Sequence, residues 1–111
     1  MDMNHVTLVG RICQTPEKKI VGEQSLLKLR VAWNRRAKNE HTGEWEDAET
    51  GFFDVSAWGF IADDNDTLDI GDKVLVSGRL KQRSWTDDDN NKHSAIEIVA
   101  NDLGQIRRAR T

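Results

Sequence analysis

One cysteine and one proline stand among the 111 residues. The single Cys13 can close no internal disulfide, and no Cys/His spacing resembles a zinc site. His5, His41 and His93 are scattered and read as surface or strand residues rather than ligands. The opening Met-Asp-Met-Asn-His lacks an apolar h-region, and no run of about 18 apolar residues occurs anywhere. A soluble protein in a reducing, cytoplasmic setting is expected, with no membrane contact. There is no nucleophile–base pair, carboxylate dyad or phosphate-cradling glycine loop, so no enzyme and no cofactor is expected. Asp63, Asp64 and Asp66 could hint at a metal, but the rest of a calcium loop is missing and a solvated face is the better reading. No internal repeat is present. The length suits one domain with a modest core, expected over 1–106, and a short basic end at 107–111 that carries Arg107, Arg108 and Arg110.

Charge of one sign is also locally absent. The formal net charge is −3, mildly against a nucleic-acid binder, yet the charges are segregated. Lys28 to Lys38 holds five basic and no acidic residues; Glu40 to Asp54 holds six acidic and no basic ones. Asp63 to Asp72 adds five acidic residues without a base. Lys73 to Trp85 holds four basic residues and no acid. A basic surface can therefore coexist with an acidic total.

The stretch Gly71 to Trp85 organises the rest. Side chains in a strand switch faces at every residue. Val74, Val76 and Leu80 fall on one face, with Gly78 between them, and suit a core. Leu75, Ser77, Arg79, Lys81, Arg83 and Trp85 fall on the other. Cations in line with an aromatic suit a single-stranded nucleic acid: the cations meet phosphates, and the flat ring stacks on any base.

Other strands show the same period. Val6-Thr7-Leu8-Val9 opens the first; Gly10 interrupts it as at a bulge or bend, and Pro16 ends it. Val21 to Gln24 reads as a turn. Leu27, Leu29 and Val31 alternate with Lys28, Arg30 and Ala32 in the second, which runs into Trp33, Asn34, Arg35 and Arg36. A long acidic loop follows from Ala37 to Thr50. Phe53, Val55 and Ala57 alternate with Phe52, Asp54, Ser56 and Trp58 in the third, which puts Phe52 and Trp58 on one face. Phe60 to Leu68 suits a short helix, and Asp69 to Asp72 a turn into the fourth strand. Asp87 to Asn91 is a hairpin tip, and Ala95 to Ala100 the fifth strand; periodicity then fades. Five strands with one short helix between the third and fourth predict an all-β fold, a small five-stranded OB-fold barrel that closes to remove its edges.

Three motifs carry a family resemblance. They are Asn4-His5-Val6-Thr7-Leu8-Val9-Gly10-Arg11 with Pro16-Glu17, then Thr42-Gly43-Glu44-Trp45, then Gly71-Asp72-Lys73-Val74 through Gly78-Arg79-Leu80 to Ser84-Trp85-Thr86-Asp87. In order and at these spacings, from about Asn4 to about Ile106, the chain resembles the bacterial single-stranded DNA-binding proteins. The resemblance implies an OB-fold that coats single-stranded DNA without sequence preference in replication, recombination and repair, usually as a homotetramer. It implies a cytoplasmic, nucleoid-associated protein. It places family aromatics at Trp85, Phe52 and Trp58, and a fourth after the second strand, where Trp33 and Arg36 are both on offer. Trp45, among Glu44, Glu46 and Asp47, is read as a loop anchor. The family commonly carries an acidic tail that recruits replication proteins. This sequence closes on Arg108-Ala109-Arg110-Thr111, either a trimmed chain or a short form, and that recruitment is not expected of it.

The expected mechanism is passive. Lys28, Arg30, Arg35, Arg36, Lys38, Arg79, Lys81 and Arg83 attract phosphates and release counterions. The aromatics stack bases, each worth roughly 1–3 kcal/mol. The rivals are an OB-domain for primosome assembly or RNA binding, and a protein-interaction module that coats no DNA; a hydrolase using the aspartates is a remote third. Val6, Leu8 and Val9 give the first strand apolar residues on both faces, which supports self-association as a homotetramer, with a dimer as second choice.

Overall fold

The computed structural model describes residues 3–108. Its elements follow in the order β1 (Val6–Ile12), β2 (Glu17–Val21), β3 (Gln24–Lys38), β4 (Trp45–Trp58), α1 (Phe60–Asp64), β5 (Lys73–Thr86) and β6 (Lys92–Gln105). Sheet neighbours run β1-β5-β6-β4-β3-β2, and β1 also pairs with β3. That extra pairing closes β1, β5, β6, β4 and β3 into a five-stranded barrel, with α1 between the third and fourth barrel strands. The architecture is the expected OB-fold. The β4–β6 pairing is parallel and the other pairings are antiparallel.

Two glycines permit closure. β1 pairs with β5 from Val6 to Arg11, while Arg11 and Ile12 also pair with β3. Gly10 stands just before this change of partner, and a Cβ there would fall 2.3 Å from the Ala32 carbonyl oxygen. Across β5 and β6, Ser77 pairs with Asp102 but Gly78 pairs with Ala100, so Asn101 is an extra residue on β6. A Cβ on Gly78 would fall 2.0 Å from the Val99 carbonyl oxygen. A bulge bends its strand, and only glycine tolerates the resulting backbone approach.

The core is the one that alternation marks. Leu27, Leu29 and Val31 of β3, Val55 and Ala57 of β4, and Val74 and Val76 of β5 are all buried. Ile12, Ile98 and Ala100 complete the barrel interior, and Ala62 of α1 and Leu68 join the same cluster.

Several segments differ from expectation for physical reasons. The residues after Pro16 form β2, an edge strand exposed along its whole length, so no hydrophobic period marks it. The loop expected from Ala37 to Thr50 shrinks to residues 39–44, because β3 and β4 run on as a two-stranded arm. Trp45 opens β4 rather than sitting in a loop, and at 63% exposed it is no buried anchor. Leu80 lies on the Val74 and Val76 face but is 36% exposed, because the exposed half of β5 runs beyond the buried core as a second arm with β6. β6 continues past Ala100 to Gln105, its period masked by the bulge. The helix is shorter than expected, Phe60–Asp64. Arg107 and Arg108 are exposed beyond β6, and Arg110 lies outside the described residues.

Candidate nucleic-acid interface

β3, β4, β6 and β5 are successive neighbours, so their outward side chains make one surface. Register sets its rows. Arg30 is opposite Asp54, Asp54 is beside Glu97, and Glu97 is opposite Lys81. This row reads plus, minus, minus, plus across four strands. The next row runs Lys28, Ser56, Val99 and Arg79.

Aromatic rings lie among these charges. Phe52 is opposite Ala32 and 52% exposed; Trp58 is opposite Leu26 and 37% exposed. Both share the outward face of Asp54, as alternation requires. Rings this exposed on a folded barrel leave their faces to something other than the core. The Arg30 guanidinium lies over the Phe52 ring, 5.2 Å from its centroid, and Arg30 Nη1 is 3.0 Å from Asp54 Oδ1. Lys28, Arg30, Asp54, Arg83 and Glu97, with Gln14 from the β1–β2 link, border a groove of about 220 Å³.

Trp85 is carried on the β5–β6 arm, opposite His93, and is 47% exposed. The rings stack with centroids 5.5 Å apart and planes at 18°. The Arg83 guanidinium is 5.9 Å from the indole centroid. Beneath them the Asp87 carboxylate organises the tip. It accepts from His93 Nε2 at 2.6 Å and from the backbone N–H groups of Asn91 at 2.8 Å and Asp89 at 3.0 Å. The His93 contact, and then the Asn91 backbone, hold its carboxyl below the ordinary value of 3.8.

The signed blocks of the sequence meet in space. Because β3 and β4 are antiparallel, the basic run Lys28 to Lys38 lies against the acidic run that ends at Asp54. Arg35 pairs with Glu49 at 3.1 Å and Arg36 with Asp47 at 3.5 Å, in addition to Arg30 with Asp54. Arg83 Nε is 3.9 Å from Glu97 Oε2. Among the described residues Lys28, Lys38, Arg79 and Lys81 make no ion pair. Half of the expected phosphate ligands are therefore neutralised locally. Only strand pairing shows this, although the flanking runs of opposite sign around Thr42-Gly43 are its sequence signal.

Ten of the twelve expected contact residues share the outward face: Phe52, Trp58, Trp85, Lys28, Arg30, Arg36, Lys38, Arg79, Lys81 and Arg83. Trp33 and Arg35 do not. They continue the Leu27, Leu29 and Val31 side of β3. The Trp33 ring lies so close over Gly51 that a Cβ there would fall 2.3 Å from it. Trp33 Nε1 is buried without a hydrogen-bond partner. Of the two residues on offer for the fourth family aromatic, only Arg36 is on the outward face.

Residues 3–106 match the sequence profile of the single-strand binding protein family. The chain belongs to that family. Within the family, the single-stranded DNA-binding protein of Corynebacterium glutamicum is 34% identical over 102 residues, which cover 90% of this chain and 45% of the relative. Single-stranded DNA-binding protein 2 of Streptomyces coelicolor is 33% identical over 108 residues, covering 96% of this chain and 54% of the relative. The chain thus spans about half the length of these curated relatives. A crystal structure of a small single-stranded DNA-binding protein from Streptomyces coelicolor has a TM-score of 0.80 at 27% identity and covers 96% of both chains.

Proposed function

We propose that this chain binds single-stranded DNA without sequence preference, and so coats and protects it in replication, recombination and repair. The observation that carries the reading is the outward face of a closed barrel on which Phe52, Trp58 and Trp85 stand exposed among cations. Family membership supports it. The contact set is Phe52, Trp58 and Trp85 for bases, with Lys28, Arg30, Arg36, Lys38, Arg79, Lys81 and Arg83 for phosphates. A duplex keeps its bases stacked away and gains only the electrostatic part, so single strands are preferred. The role is binding rather than catalysis, over residues 1–106 as one domain, in the cytoplasm at the nucleoid.

The chain acts as a homotetramer, with a dimer as the simpler alternative. Val9 of β1 and Leu75 of β5 are opposite each other on the outside of the barrel, Val9 being 44% exposed, and offer apolar surface for contact between copies.

Titrating the intrinsic tryptophan fluorescence with oligothymidine tests the reading. Strong quenching that saturates, and that an equal length of duplex does not reproduce, is expected. An unchanged signal together with no retention of labelled oligothymidine would overturn it.

A further inference from the structure

We propose that Trp45 is a further base-stacking residue, and that the single strand continues from Phe52 along the β3–β4 arm to reach it. The inference rests on the single-strand reading above and extends its contact surface.

Simple alternation sends Trp45 the wrong way. It is odd-numbered, like Phe53, Val55 and Ala57 on the core side of β4. The arm contains a register shift, however. Arg35 is opposite Glu49 while Arg36 is opposite Asp47, so one step on β3 spans two on β4 and Ala48 is the extra residue. A bulge re-aims the side chains beyond it. From there on, Asp47 is opposite Arg36 and Trp45 is opposite Lys38. Arg36 and Lys38 continue the face of Lys28, Arg30 and Ala32. Trp45 thus returns to the face that carries Phe52 and Trp58.

The acidic setting is partly neutralised there. Asp47 is paired with Arg36, whose Nη2 also donates to the Trp45 carbonyl oxygen at 3.0 Å. Glu46 is opposite Ala37, on the other face, and accepts from Asn39 Nδ2 at 3.4 Å. Lys38, directly across from Trp45, makes no ion pair among the described residues. Trp45 therefore has a cation free of ion pairs among the described residues as its cross-strand neighbour.

The ring is exposed yet its mount is firm. Trp45 is not a packing residue, unlike Trp33. The turn beneath it is closed by Asn39 N to the Glu44 carbonyl at 2.8 Å and Gly43 N to the Asn39 carbonyl at 2.7 Å. The Asn39 side chain also accepts from the N–H groups of His41 and Thr42. A preorganised platform loses little freedom when it binds. From the Phe52 row at Ala32 to the Trp45 row at Lys38 is six steps along β3, roughly 20 Å at about 3.3 Å per residue.

The test compares Trp45→Ala, Trp45→Phe and the parent on oligothymidines graded in length. With long strands, Trp45→Ala should weaken binding about tenfold, within the range for one stacked base. Trp45→Phe should recover most of this. With strands too short to reach the arm, all three should bind alike, and all should melt and sediment as the parent does. Equal affinity of Trp45→Ala and parent at every length, while Trp85→Ala is weakened, would overturn this inference and leave the functional reading standing. So would altered sedimentation of Trp45→Ala, which would make the residue an interface between copies. A parent that fails to bind oligothymidine would instead overturn the functional reading, and this inference with it.

Discussion

The Trp85 indole lies on the His93 imidazole across the β5–β6 arm, with ring planes 18° apart and centroids at 5.5 Å. One face of the indole is therefore braced by the protein. The brace is fixed in turn by Asp87, which accepts from His93 Nε2 at 2.6 Å. A ring held in this way is already oriented before a base arrives, and orientation need not be supplied on binding.

The brace makes His93 a positioning residue for Trp85. His93→Ala should weaken oligothymidine binding less than Trp85→Ala does, and leave the melting temperature nearly unchanged. The clasp also has a pH dependence from Asp87. Its carboxyl is held below the ordinary value of 3.8, chiefly by His93. A lowered carboxyl gives its full stabilisation above that ordinary value and loses it as pH falls through the lowered one. Under stronger acid the clasp opens. Nuclear magnetic resonance shifts of the His93 ring should show this acidic step, and Asp87→Asn should remove it.

The carboxylates on the binding face oppose phosphate. Asp54 neutralises Arg30 at 3.0 Å and sits beside Glu97. Asp54→Asn should tighten single-strand binding severalfold and steepen its salt dependence, since a freed cation adds about −0.7 to the log–log slope. Lys81→Ala should flatten the slope by a similar amount. Arg83→Ala should flatten it less, because Glu97 already shares that charge. Equal slopes for parent and all three variants would place these residues off the DNA path.

How far the fold could be read without coordinates follows from where a buried face exists. Leu27, Leu29 and Val31, or Phe53, Val55 and Ala57, alternate because one side of each strand meets the core. The same logic placed Phe52, Trp58 and Trp85 outward. It fails where neither face is buried. β2 and both arms are solvated on two sides, so Lys18 and Lys19, or Gln82 and Ser84, carry no hydrophobic period. It fails also across bulges, since Ala48 and Asn101 change the parity of everything beyond them. Trp33 stands apart from the outward rings for a related reason: its indole continues the buried side of β3 past the last aliphatic residue.

Barrel closure should be sensitive to one methyl group. Gly78→Ala would set a Cβ 2.0 Å from the Val99 carbonyl oxygen, where backbone must move. Overpacking of this kind costs roughly 1–3 kcal/mol, sometimes more. Denaturant unfolding should show that loss, whereas Gly43→Ala in the exposed arm turn should perturb the barrel less.

Self-association should depend on the outside of β1. Val9→Glu places a charge on the exposed Val9–Leu75 patch. Sedimentation should shift the variant to a smaller species than the parent, with its barrel still folded by circular dichroism. Parent and variant sedimenting identically would move the interface elsewhere.

The central claim is that exposed rings on this face stack bases, and Trp85→Ala tests it most directly through two measurements on one protein, affinity and melting. Loss of roughly 1–3 kcal/mol of oligothymidine affinity is expected, with the melting transition nearly unchanged. Trp85→Phe should recover most of the binding, because the flat ring matters more than the indole N–H. A core tryptophan would instead lose about 3–5 kcal/mol of folding stability on truncation. A variant that melts far earlier than the parent but, where folded, binds oligothymidine as tightly would contradict the account.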